Sequence, residues 1–287
     1  MYNQNTTALM EQETFVLPAM AESEFSSAEL AEDMDGLQMS FQRVKIPAGG
    51  TIQFELPSDD PENPDYAKTL VGIILHNHAT CAYWPEGSEY DENTAPLCSS
   101  VDGKQGIGDP GGACEACALN RFGTDSNGKG KACKNMRKLY LLRSGEYMPI
   151  QLTLPPTSIS PFREFLNQSF AIRRRATFGS VVQIGLKKMN NGTNDYSVAT
   201  FRRLYDFSGE ELAQIRQFAD GFKQQVRMML QQRAEMNKLS HPARPDINWP
   251  YAEQLARSLL EHHGADQQTV AWYTQARARL GGQAGIH

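Results

Sequence analysis

The chain has 287 residues, enough for one buried core with extensions or for two modest domains. Its 40% hydrophobic and 9% aromatic content suits an ordinary globular domain, and no apolar run approaches the roughly 20 residues that span a bilayer. The net charge of -5 conceals an uneven distribution: residues 1–65 hold two basic and 13 acidic side chains, residues 66–239 hold 22 and 16, and the remainder holds four of each. An acidic arm on a basic centre is a pattern that favours polyanions at the centre. The first 20 residues lack a basic n-region and carry Glu11 and Glu13, so they do not read as a secretory signal, and a cytoplasmic protein is expected.

In chain order, residues 1–38 are polar and acidic without a sustained period, which predicts a disordered arm or a weak helix. Met39 to Ile46 and Thr51 to Leu56 alternate around Pro47-Ala48-Gly49-Gly50 and read as a hairpin, with a loop completing residues 39–65. Lys68 to Trp84 reads as one long strand. A glycine-, proline- and cysteine-rich loop follows over residues 85–135. Lys138 to Leu142 and Tyr147 to Leu154 read as strands closed by Pro155-Pro156. Ser160-Pro161 predicts the start of a short helix over 162–170, with serine as N-cap and proline in the first turn. Thr177 to Lys188 and Tyr196 to Phe207 form a second hairpin around Asn190-Asn191-Gly192. Ser208 to Glu211 has capping-box spacing and opens a long helix, 208–239, with Leu212, Ile215, Phe218, Phe222, Val226, Met229 and Leu230 on one stripe. Residues 240–287 read as a linker and two short helices, over 251–262 and 267–280, in which Trp249 and Trp272 are candidate self-association contacts.

Between residues 66 and 207 the order is strand, insertion, strand, strand, helix, strand, strand. That is the order of a five-stranded OB barrel. The expected fold class is therefore α+β, an OB-like barrel with an insertion between its first two strands and helices at the C-terminal end.

Five cysteines are present, four of them within the 36 residues from Cys98 to Cys133. In a reducing compartment such clustering favours metal over disulfides. Cys114 and Cys117 form a CxxC pair flanked on each side, fifteen residues away, by Cys98 and Cys133. Four thiolates suit a tetrahedral zinc ion, and with no open position the zinc is expected to be structural. The loop has many glycines and few large apolar residues, so metal would supply its ordering energy. An iron–sulfur cluster and a redox CxxC are the alternatives. Cys81 reads as a buried strand residue beside His76 and His78, either of which would replace a cysteine ligand if the strand passes the loop. His76-Asn77-His78 spells a nuclease motif but sits adjacent on one strand. Residues 123–130 resemble a phosphate-binding loop but lack the Ser or Thr after Lys129 and a preceding strand. No catalytic constellation stands out, so a non-enzyme is expected, with a metal-dependent nuclease as a lesser alternative.

Cations and rings interleave along the centre. Arg121, Phe122, Lys129, Lys131, Lys134, Arg137, Lys138, Tyr140 and Arg143 fall in one stretch with Asp125 as its sole acid, and Lys187, Arg202, Arg203 and Tyr205 follow. Tyr83 and Trp84 end the long strand. Cations tracking phosphates and rings stacking on unpaired bases are what a sequence-tolerant single-strand binder uses.

The runs Ala82-Tyr83-Trp84, Pro96 to Gly103, Cys114 to Asn120, Gly128 to Lys134 and Leu139 to Leu142 together resemble zinc-containing proteins encoded by phages and integrated mobile elements. Some of these are similar to OB-type single-stranded DNA-binding proteins with an inserted zinc loop. The resemblance implies sequence-nonspecific binding of single-stranded DNA in replication or recombination, a structural zinc ion, contact with replication or recombination proteins, and a bacterial cell or phage-infected host. The alternative is a zinc-containing regulator or adaptor that binds duplex nucleic acid or protein.

Overall fold

The computed structural model describes residues 15–17, 40–60, 62–85, 95–240, 249–263 and 267–281. The expected arm, 1–38, lies outside the described residues except at Phe15 to Leu17. There the chain docks: Phe15 is buried against Phe207, its N–H donates to Tyr205 Oη at 3.0 Å, and Val16 N–H donates to Ser144 Oγ at 2.9 Å.

The fold is α+β. Its strands are β1 (Arg43–Lys45), β2 (Phe54–Leu56), β3 (Asp65–Ala67), β4 (Thr69–Tyr83), β5 (Cys98–Ser100), β6 (Gln105–Gly108), β7 (Gly112–Ala113), β8 (Lys134–Leu142), β9 (Ile150–Leu154), β10 (Ser180–Asn190) and β11 (Asp195–Asp206). The helices are α1 (Pro156–Ser169), α2 (Gly209–Ser240), α3 (Trp249–His263) and α4 (Gln267–Gly281). Nine strands form one mixed sheet, and β2 pairs with β3 apart from it.

The long β4 organises the sheet. Its first residues pair with β10, its middle and end pair with β8, and Cys81 to Tyr83 also pair with β5. Gly72 sits where β10 and β8 meet along β4, and a Cβ there would lie 2.4 Å from the Leu142 carbonyl oxygen, so only glycine fits. A bulge between Ile74 and His76 shifts the alternation, so that His76 and His78 face the same way as Tyr140.

The expected five-stranded barrel is corrected by these pairings: among the described residues the sheet does not close. From β4 it runs through β8 and β9 to β1 on one side and through β10 to β11 on the other. β1 lies parallel on the free edge of β9, which denies that edge to β11. The isolated bridge Ala48 to Tyr196 is too little to make a ladder. The expected N-terminal hairpin is corrected too, since β1 joins β9 and β2 joins β3. A three-residue strand that buries Val44 between exposed Arg43 and Lys45 needs a broad partner edge, and β9 supplies one.

Two apolar faces result. On one, Leu70, Ile74, Leu139, Leu141, Leu152 and Ile184 pack with Phe162 and Phe165 of α1. On the other, Ile73, Leu75, Tyr140 and Leu142 pack under Ile215, Ala219, Phe222 and Val226 of α2, the stripe that the periodicity predicts. Helix α1 starts at Pro156 with Pro155 as N-cap and contains Pro161, one turn earlier than Ser160 indicates, because proline at the first turn forfeits no hydrogen bond. Ser158, fully buried, accepts the Ala199 N–H at 3.0 Å and fixes that first turn to β11. In α3 and α4, Ala252 and Ala276 pack with Trp249 and Trp272, so both tryptophans serve this helix pair. No helix among the described residues is long and apolar enough to cross a membrane.

Candidate metal and nucleic-acid site

The described part of the insertion between β4 and β8, residues 95–133, is an ordered lobe, where the sequence predicts a loop. β5 pairs with β4, β6 with β5 and β7 with β6. Asp102 Oδ1 accepts the N–H groups of Lys104 and Gln105 at 2.8 and 3.3 Å and the Ser100 hydroxyl at 3.0 Å, closing the β5–β6 turn. Gly108, at φ 120°, lies so near the Leu97 carbonyl oxygen that a Cβ would stand 2.0 Å from it. Asp125 accepts the Lys129 N–H at 2.9 Å, and the Gly130 carbonyl accepts the Gly123 N–H at 2.8 Å. The stretch that resembles a phosphate-binding loop is thus a self-bonded turn leading into a strand.

Cys98, Cys114, Cys117 and Cys133 line one cavity of about 10 Å³, and so does Cys81. That is room for about one water-sized species. The cavity wall is completed by Ser99, Ser100, Gly106, Gly111 and Asn120. Two of the cysteines are held by hydrogen bonds of the lobe: Cys114 N–H donates to Lys104 O at 2.8 Å and Cys133 N–H to Leu119 O at 2.9 Å, while Asn120 Nδ2 donates to Cys114 O at 2.7 Å. All five are free thiols. Cys81 and Cys133 are hydrogen-bond neighbours; this contact pushes the Cys81 thiol up and, with Lys131 and Lys134 nearby, draws Cys133 down to about 7. Burial pushes Cys98 and Cys114 up. The sulfurs are gathered but not posed as a finished shell: among the described residues no three His, Cys, Asp or Glu side chains already hold metal-binding geometry. As a donor set, thiols around an ion-sized cavity fit a soft-ligand ion such as zinc. Cys81 is the site residue that sequence reasoning assigned elsewhere. His76 and His78 are not in the cavity lining; alternation along β4 sends them to the other face of the sheet.

The expected nucleic-acid residues fall into three groups. On the lobe, Arg121 and Lys129 are exposed and Phe122 is 79% exposed, with Lys131 Nζ 5.1 Å from its ring centroid. Tyr83 and Trp84, half-buried, stand where β4 enters the lobe. On β10 and β11, at the Thr69 end of β4, Lys187, Arg202 and Arg203 line a groove of about 690 Å³ between α1 and β11. Arg202 Nε donates to Gln183 Oε1 at 3.1 Å. Arg203 pairs with Asp206 at 3.0 Å, which also holds Arg173 at 2.7 Å and Arg175 at 3.5 Å. Arg143 is taken by Glu146.

The third group lies on the sheet. Cross-strand register places His76, Tyr140, Gln151 and Arg43 in one row, and His78, Lys138, Thr153 and Lys45 in the next, on the face that α2 approaches. Lys134 continues this face along β8, whereas Arg137 turns to the opposite face and donates to Asn77 Oδ1 at 2.6 Å. Tyr140 is corrected as a stacking residue: at 0% exposure it lies under Phe41 and Phe222, with ring centroids 5.0 and 5.3 Å away. Its hydroxyl accepts from Gln151 Nε2 at 3.2 Å and meets His78 Nε2 at 3.2 Å. Tyr205 is half-buried: its hydroxyl accepts the Phe15 N–H and its ring meets Phe207 edge-on. Burial, then His78 and the α2 cations Arg227 and Lys223, bring His76 down to about 4. Burial, then Arg233 and Arg43, bring Lys138 down to about 8. Among the described residues, the charges acting on Lys138 are both positive.

Comparison of the chain with family models, curated proteins and solved structures finds no match.

Proposed function

We propose that the chain binds single-stranded DNA without sequence preference, in replication or recombination, and that a structural zinc ion orders the lobe that completes the binding surface. The observation that carries this is the cationic sheet face. Lys138 is half-buried, and among the described residues the charges that act on it are those of Arg43 and Arg233 of α2; Lys134 continues the same face along β8. Buried cations without carboxylates are costly unless an anion joins them, and a phosphate backbone supplies anions in series. The lobe, which joins β8 at Lys134, offers an exposed ring and further cations, which suits stacking on unpaired bases. The strand and helix order from β4 to β11 supports an OB-like ancestry with an added strand at β1, and strands two and three of that plan correspond to β8 and β9.

The test is a salt titration of fluorescence anisotropy with labelled oligo-dT and a duplex of matched length. Tight, salt-dependent oligo-dT binding with weak duplex binding is the expected result. Equal or stronger duplex binding turns the assignment to the regulator or adaptor alternative, and loss of binding to both removes it. Elemental analysis of protein prepared without chelators checks the ion separately, with one zinc per chain expected.

A further inference from the structure

We propose that Cys81, on the central strand β4, is a ligand of the metal site, so that five thiols serve a four-coordinate ion. This rests on the zinc assignment above and names the donors more closely. Cys81 enters the shared cavity from the sheet, while the other four thiols come from the insertion. It pairs in register with Ser100, two residues beyond Cys98, and with Asn135, two residues beyond Cys133. Residues two apart on a strand share a face, so this register aims Cys81 at the side where both flanking cysteines lie. Thr80, the next residue back, is tied to the lobe by its hydroxyl, which donates to Ser100 O at 2.7 Å.

The five thiols are unequal. Cys81, Cys114 and Cys133 are buried at 6%, 7% and 8% exposure, and Cys81 neighbours both of the others directly. Cys98 and Cys117 are half-buried. A zinc ion takes four ligands in a closed tetrahedron. The geometry therefore points to Cys81, Cys114 and Cys133 as fixed ligands, with Cys98 and Cys117 interchangeable at the fourth position. Coordination by Cys81 also changes what the ion does: it fastens the lobe to the core sheet instead of closing the insertion on itself.

Single substitutions in the full chain test this, using zinc content by elemental analysis and Co²⁺ substitution followed by absorbance. Cys98→Ser and Cys117→Ser are each expected to retain one ion with affinity within about tenfold of the unaltered protein, because the spare thiol takes the vacated place. Cys81→Ser, Cys114→Ser and Cys133→Ser are each expected to lose the ion on dialysis against a mild chelator. Cys81→His, which keeps a donor, is expected to bind Co²⁺ with a spectrum shifted from four thiolates toward three thiolates and one nitrogen. That variant decides the matter if Cys81→Ser does not fold. Wild-type affinity in Cys81→Ser, or an unshifted four-thiolate spectrum in Cys81→His, overturns the proposal while leaving the zinc assignment standing. Absence of metal from the unaltered protein overturns the zinc assignment itself, and this proposal with it.

Discussion

Replacing Lys138 by methionine should stabilise the protein and, on the proposed function, weaken binding of single-stranded DNA. Methionine keeps a stem of similar length and removes the charge. In the fold the Lys138 ammonium is brought from 10.5 down to about 8 by burial and by Arg233 and Arg43. At roughly 1.4 kcal/mol for each tenfold change in proton affinity, holding the charged form below pH 8 costs the native state about 3 kcal/mol. The folded value lies below the unfolded one, so between pH 8 and 10.5 the unfolded chain binds more protons and native stability rises with pH. Lys138→Met should therefore be more stable by about 2–3 kcal/mol at pH 7. The advantage should shrink as pH climbs through 8 and be nearly gone by 10.5. Urea melts of both proteins at matched pH measure it, and other titrating groups cancel in the difference. For DNA the sign reverses: loss of one phosphate contact should lower the slope of log affinity against log salt by about 0.7 for a single strand. A Lys138→Met protein that is less stable at pH 7, or whose advantage is constant from pH 7 to 10, would refute the picture of a half-buried cation set among like charges.

Phe122→Ala should leave thermal stability unchanged, since the ring is exposed, yet weaken oligo-dT binding by about 1–3 kcal/mol if the ring stacks on a base; anisotropy reads the second and calorimetry the first. Ser158→Ala strands the buried Ala199 N–H that its hydroxyl now receives and should cost about 1–3 kcal/mol in urea melts. His76, brought down to about 4 by burial and nearby cations, should make stability fall as pH drops from 6.5 toward 4, because the unfolded chain takes up the proton first. His76→Phe should flatten that part of the stability profile measured by chemical denaturation. Replacing Glu22, Glu24, Glu29, Glu32, Asp33 and Asp35 by their amides, which keeps the docked Phe15, should tighten oligo-dT binding at low salt if the acidic arm competes for the basic surface; equal affinities would exclude that competition.

The long elements were legible because their periodicity is strong. β4, the β10–β11 hairpin and α2 lie within a few residues of where alternation and the apolar stripe put them. The lobe was not legible as strands because β5, β6 and β7 are only two to four residues long and built of serine, glycine and other weak strand formers, held by turns and backbone approach instead of propensity. β1 was misassigned to a local hairpin because its true partner, β9, is about a hundred residues away, and no local pattern encodes that pairing. Tyr140 looked like a stacking ring for a similar reason: α2, which covers it, starts about seventy residues later. Cys81 carried a usable signal, since a cysteine three residues from the end of a strand that opens into a cysteine-rich insertion must lie at the mouth of that insertion.

The length of β4 bears on how the cations act together. Thr69, where β10 begins to diverge, and Cys81, where the lobe attaches, are twelve residues apart, or about 40 Å at roughly 3.3 Å per residue. Lys187, Arg202 and Arg203 therefore cannot share one short channel with Arg121 and Phe122, and Asp206 and Gln183 already occupy two of the three. Lys134 to Lys138 spans only about 13 Å by the same measure, and Lys134 follows Cys133 directly. Lys134 thus links this sheet face in sequence to the thiol cluster, whose cavity Cys81 enters from the opposite face of the sheet. An ion bound there would restrict the lobe without touching DNA, so it would raise DNA affinity by removing an ordering cost that binding must otherwise meet. By linkage, DNA would raise affinity for the ion by the same factor.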